Sequence, residues 1–269
     1  MNEPIADRNS DATAATVERL QAELASTRRQ LDQARQELDA FSYSVSHDLR
    51  GPLRALNGFS KLLNDEGRDV LSGDMADYLA RIVGATRRLE LLLEDLLMLS
   101  RAGRAKMQVR SLELGALARE VAASLEGGEP ARRVDWIVPD VRIEADPALL
   151  RIVLEHLLGN AFKFTRCREA ARIELRLEQG EPDSSGTVAG FSIRDNGVGF
   201  DMGYADRLFS PFQRMHPASA YEGNGIGLAI VQRIVRRHDG HAWLHSAPDQ
   251  GTEVFVRLWE TEAPPGAAA

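Results

Sequence analysis

Val17, Leu20, Leu24, Thr27, Leu31, Ala34, Leu38, Phe41 and Val45 recur in unbroken alternation of three and four residues. That spacing puts one apolar stripe along a long helix, and the faces beside it are saturated with Glu, Gln, Arg and Asp. A helix packed on its own domain carries a broader apolar face, so the pattern predicts a coiled coil over residues 14–40 and a parallel homodimer. A second stripe, Met75, Leu79, Ile82, Thr86, Leu89, Leu93, Leu96 and Ser100, follows a break rich in Asn64, Asp65, Gly67, Ser72 and Gly73. Two long helices joined by a polar turn make an αα-hairpin over residues 41–103. One copy cannot bury both stripes, and two copies together form a four-helix bundle.

After Arg104 the pattern shortens. A linker is expected over 104–112 and an α/β domain over 113–260. Strands are predicted near 107–109, 134–138, 142–144, 171–177, 189–194, 242–245 and 252–258, with helices over 113–125, 147–164 and 225–237. The expected result is a mixed sheet covered by three helices. Residues 1–13 are polar and aperiodic and 261–269 are rich in Pro, Gly and Ala, so both ends are expected to be disordered. The net charge of −7 argues against nucleic acid or an anionic membrane as a partner. The single Cys167 cannot close an intrachain disulfide, and neither a signal peptide nor a run of about 20 apolar residues is evident, so a cytoplasmic protein without direct membrane insertion is expected.

Four clusters carry candidate chemistry. In the heptad frame His47 falls outside the seam, beside Asp48, in the run Ser46-His47-Asp48-Leu49-Arg50-Gly51-Pro52. A carboxylate holding one ring nitrogen leaves the other as a nucleophile, although a lone surface histidine usually does nothing. Asn160 and Lys163 share a helix face and suit a metal ion and a phosphate, although taken alone they read equally as ordinary solvent-facing polar residues. Asp195, followed by Gly197 and Gly199 at a strand end, offers an acceptor and close backbone approach to a flat ligand such as a purine, though the same run in isolation is equally a turn. Gly223, Gly225 and Gly227 open a helix whose amides could cradle phosphate. Leu228 stands where a dinucleotide fingerprint needs glycine, so a Rossmann site is excluded. His216, His238, His241 and His245 lack metal-ligand spacing and read as surface or packing residues, and Trp136, Trp243 and Trp259 read as core. Phe209 and Phe212 flank Pro211 in a segment that is either a lid or ordinary loop packing.

In this order the residues resemble the sensor histidine kinases of two-component systems over roughly Phe41–Leu258. The wording of Phe41–Leu53 is closest to the phytochrome-like branch. The resemblance implies a dimeric phosphotransfer bundle joined to an α/β sandwich ATP-binding domain of the Bergerat type. His47 would be the phosphorylated residue. Asn160 and Lys163 match the N box and would hold Mg²⁺ and the ATP phosphates. Asp195, with Gly197 and Gly199, matches the first glycine box and would hold the adenine amine. Phe209 and Phe212 match the F box, and Gly223, Gly225 and Gly227, with Leu228, the second glycine box. Arg214 is a further candidate for placing the terminal phosphate. Implied partners are a second copy and the receiver domain of a separate response regulator, with a separate sensor protein as another candidate. Two departures stand out: His156 replaces the first Asn of the N box, and Gly51 stands where members that dephosphorylate their partner often have Thr or Asn. The residues alone also leave open a nucleotide-binding regulator that never phosphorylates His47, an ATPase of the topoisomerase and chaperone kind, and a plain coiled-coil scaffold.

Overall fold

A computed structural model describes residues 5–66, 73–102, 107–177, 187–213, 215, 221 and 223–259. Helix α1 spans Ile5–Glu66 without interruption, so the expected coiled coil and the first half of the hairpin are one element. It takes in residues 5–13, which were expected to be disordered. Ala12, Ala14 and Ala15 favour helix, and extending an existing helix costs far less than nucleating one. The helix also runs through Pro52, which removes only the amide that would bond to the Asp48 carbonyl.

Helix α2, Asp74–Ala102, folds back on α1, with Asp74 and Asp77 in its first turn where the helix dipole favours acid. Leu53 and Ser60 of α1 and Leu79, Thr86 and Leu97 of α2 are buried between them. Each buried leucine contributes about 1.5–3 kcal/mol. The Asn57 amide donates to Glu90 Oε2 at 2.9 Å across the pair, and Thr86 satisfies its hydroxyl on the Ile82 carbonyl. The second stripe therefore divides. Leu79 and Thr86 face α1 within the chain, whereas Met75, Ile82 and Leu89 stay exposed, as do Leu20, Leu24, Leu31, Leu56 and Phe59 of α1.

The α/β domain contains two sheets, where one was expected. Strands β2 (Val134–Ile137), β4 (Ala171–Leu177), β6 (Gly190–Asp195), β8 (Gly251–Arg257) and β7 (His241–Ala247) lie side by side in that order. Within this sheet, among the described residues, only the β2–β4 pair is parallel. A small second sheet has the order β1 (Arg110–Glu113), β3 (Arg142–Ala145), β5 (Thr187–Val188). The first strand is thus not at 107–109. Pairing with β3 sets its position, Leu112 opposite Ile143, and the domain already begins inside the stretch expected to be linker. Helices α3 (Leu114–Gly128), α4 (Pro147–Phe164) and α5 (Gly227–Arg237) cover one face of the larger sheet and enclose a core of Leu114, Leu154, Leu158, Ile173, Phe191, Ile230 and Ile234.

Asp146 joins the base of the domain. Its Oδ1 caps α4 by accepting from the amides of Ala148 and Leu149, with Pro147 in the first turn, and its Oδ2 accepts from the amide of Gln108 at 2.8 Å. The Asp146 amide donates to Nε2 of buried His238 at 3.1 Å, which leaves Nδ1 to donate to the Ile234 carbonyl. Burial pushes the His238 imidazole below its ordinary range, consistent with this neutral tautomer, and Trp259 packs edge-on against it. Trp259 lies beyond the end of β8 and donates to the Glu144 carbonyl. Trp136 stacks on Phe162, whereas Trp243 stacks with His241 and Phe255 on the sheet face away from the helices.

Candidate nucleotide site

Helix α4 reaches the site at its C-terminal end, where several contacts hold it. The Arg132 guanidinium lies 3.9 Å from the Phe162 ring centroid and donates to Thr165 Oγ1 at 2.8 Å, while Thr165 bonds back to the Ala161 carbonyl at 2.7 Å. One turn before that end, Asn160 and Lys163 face a cavity of about 320 Å³, near the lower limit for small-molecule pockets. Lys163 Nζ donates to Asn160 Oδ1 at 3.2 Å and lies 4.3 Å from the centroid of Phe164. The amide oxygen suited to a cation is thus bonded to the ammonium suited to phosphate.

Asp195 ends β6 on the same cavity. Its Oδ1 accepts from the amides of Gly197 at 2.7 Å and Thr252 at 3.3 Å, which leaves Oδ2 for a ligand donor. Burial pushes this carboxyl up to about 6, against the pull of those two amides and of Arg168.

The first glycine pair has a packing role that spacing does not show, and Gly199 also lines the cavity. A Cβ on Gly197 would stand 2.6 Å from the Phe164 carbonyl, and one on Gly199, at φ +58°, 2.0 Å from the Ala247 carbonyl. These glycines let protein backbone meet protein backbone, which locks Asp195 between α4 and the β7–β8 turn. The second set does open a helix at the cavity. Gly225 adopts φ +70°, and a Cβ on Gly223 would come 3.2 Å from Lys163 Nζ, so the ammonium lies against this segment. Gly223, Gly225, Gly227 and Leu228 all line the cavity, at a first turn of α5 that no N-cap side chain closes and whose amides suit an anion.

Several lining residues carried no marker in the sequence. Thr252 was read only as part of a strand, and Phe164, Tyr221, Leu91 and Asp95 are brought in by tertiary packing. Tyr221 packs its ring on Phe164 at 5.0 Å and contacts Cys167 Sγ at 3.1 Å. His156 is half-buried beside Gly227, and burial holds its imidazole below the ordinary range, with Asp95 pulling it up and Lys163 pushing it down. Phe209 packs on the core, whereas Phe212 is 61% exposed at φ +65°. The His47 backbone belongs to α1 and Asp48 is exposed beside it; the His47 side chain, Arg214, His216 and residues 260–269 lie outside the described residues. Among the described residues no His, Cys, Asp and Glu cluster suits a metal, and no helix is long and apolar enough to cross a membrane.

A layered α/β domain with a buried strand-end carboxylate, an amide and ammonium on one helix and a glycine-opened second helix defines an ATP-binding domain, attached here to a helical hairpin. Residues 145–262 match the model of the histidine kinase-, DNA gyrase B- and HSP90-like ATPases, and residues 37–105 match the His Kinase A phospho-acceptor domain. The chain therefore carries both domains of a histidine kinase. It is 32% identical over 249 residues to the methanogenesis regulatory histidine kinase FilI of Methanothrix harundinacea, covering 91% of this chain and 27% of that protein. It is 29% identical over 244 residues to cyanobacterial phytochrome B of Nostoc sp., covering 88% of this chain and 31% of the relative. The chain thus spans about three-tenths of these relatives' length. Its fold is also similar to full-length ShkA in complex with AMPPNP, with a TM-score of 0.58, 24% identity, and coverage of 81% of this chain and 45% of that one.

Proposed function

We propose that the chain binds Mg²⁺-ATP in the α/β domain, transfers the terminal phosphoryl group to a nitrogen of His47, and passes it to an aspartate in the receiver domain of a separate response regulator. The observation that carries this reading is the meeting of Asp195, Asn160, Lys163 and the first turn of α5 around one cavity. Asp195 Oδ2 is the acceptor for the adenine amine. Lys163 and the amides opening α5 hold the phosphates, and Arg214 assists at the terminal one. Asn160 is the protein ligand for Mg²⁺, which when bound neutralises charge on the phosphates. Asp48 holds the His47 imidazole in the tautomer that presents a lone pair. The protein's part in the transfer is alignment and electrostatic neutralisation.

The exposed Met75, Ile82, Leu89, Leu56 and Phe59 support a homodimer, because a second hairpin would cover apolar surface that one copy leaves open. The test is incubation with Mg²⁺ and γ-labelled ATP. Acid-labile, alkali-stable label in the wild type that is absent from both His47→Gln and Asp195→Asn is the expected result. A folded wild-type protein that binds ATP yet takes no label refutes the kinase reading.

A further inference from the structure

The α/β domain does not enclose its cavity alone. Leu91 and Asp95 of α2 complete the wall, and Leu92 and Met98 of the same helix pack on the domain's core. Asp95 Oδ2 accepts from Asn224 Nδ2 at 3.3 Å, between the two glycines Gly223 and Gly225 that lead into α5. The Lys163 ammonium lies against Gly223, and the field of Asp95 reaches the His156 imidazole on the same wall. A carboxylate from the helical hairpin therefore already stands on the cavity wall, bonded to the segment that opens α5, on the side where the first-turn amides and the Lys163 ammonium favour an anion.

We propose that Asp95 is an internal competitor for the polyphosphate of the nucleotide: it holds the phosphate end of the cavity through Asn224, and bound nucleotide displaces it. The inference rests on the ATP-site reading above. It makes ATP affinity depend on how α2 lies against α5. By linkage, whatever draws α2 away tightens ATP binding, and ATP loosens α2 by the same factor. The adenine end is built by Asp195 and Thr252, whereas the Asp95 contact is made at Asn224.

The test is calorimetric titration of the full chain with Mg²⁺-ATP and, separately, with adenosine, for the wild type, Asp95→Ala and Asp95→Asn. Asp95→Ala removes the contact; Asp95→Asn keeps its shape and a neutral acceptor but removes the charge. The Kd for ATP is expected to tighten roughly tenfold in Asp95→Ala and by a smaller factor in Asp95→Asn, as for loss of a charge-assisted hydrogen bond, with adenosine unchanged. Unchanged or weaker ATP binding overturns the proposal, as does equal tightening for adenosine, which would mean a generally looser cavity. A folded wild type and folded variants that all fail to bind ATP overturn the nucleotide-site reading itself, and this inference with it.

Discussion

Replacing Asp195 by asparagine separates the cost of this carboxylate to folding from its use in binding. The side chain is 7% exposed, and burial raises its carboxyl from an ordinary 3.8 to about 6. Between those values the folded chain holds a proton that the unfolded chain has released, so stability falls as pH rises through that window and levels off above it. At ~1.4 kcal/mol for each pH unit, the full loss at pH 7 is about 3 kcal/mol. In Asp195→Asn the amide oxygen still accepts from Gly197 and Thr252, while the titration disappears. Urea unfolding from pH 4 to pH 8 should show the variant gaining on the wild type by up to ~3 kcal/mol, with the gain confined to about pH 4–6. His238, whose lowered imidazole pKa favours the native state at higher pH, is common to both proteins and cancels in the difference. The variant should also bind ATP at least ~100-fold more weakly, because an amide N–H would then face the adenine amine. A stability difference that does not change with pH refutes the argument that desolvation dominates at Asp195.

Gly199→Ala should lower stability by about 3 kcal/mol or more in a denaturant melt, because its Cβ meets the Ala247 carbonyl at a positive φ. Asp146→Ala removes an acceptor for three amides, those of Ala148, Leu149 and Gln108, and should cost about 2–3 kcal/mol, beyond the ~1 kcal/mol of an ordinary N-cap, measured the same way. Gly51 has open space around its α-carbon, so Gly51→Thr should fold normally. Assayed with a phosphorylated partner and no ATP, the wild type should show little phosphatase activity and Gly51→Thr more.

Local chemistry made much of the fold legible. Asp146-Pro147 marked the start of α4 and the period of its leucines its length, and the helix spans the residues that pattern predicts. The candidate clusters at Asn160, Lys163, Asp195 and Gly223–Gly227 announced themselves by residue type. What stayed hidden depends on partners distant in sequence. Leu112 is the only apolar residue in β1, whose register comes from β3, so the more apolar Met107–Val109 drew the prediction instead. The reason for Gly197 and Gly199 lies in the carbonyls of Phe164 and Ala247, which no local spacing reveals. Asp95 looks like any solvated acid on a helix until α2 meets α5.

The contacts at Asp146 also constrain how the domain can move. One residue ties the entering chain at Gln108, the near end of α4 and the far end of α5 to a single point. The opposite ends of those two helices carry Lys163 and the glycines that face it. Bolted together at the base, α4 and α5 behave as the two arms of a fixed bracket, and the gap between their tips cannot be tuned by swinging the domain. Any swing toward His47 therefore carries the α4 and α5 arms together, and leaves behind the part of the wall that α2 supplies.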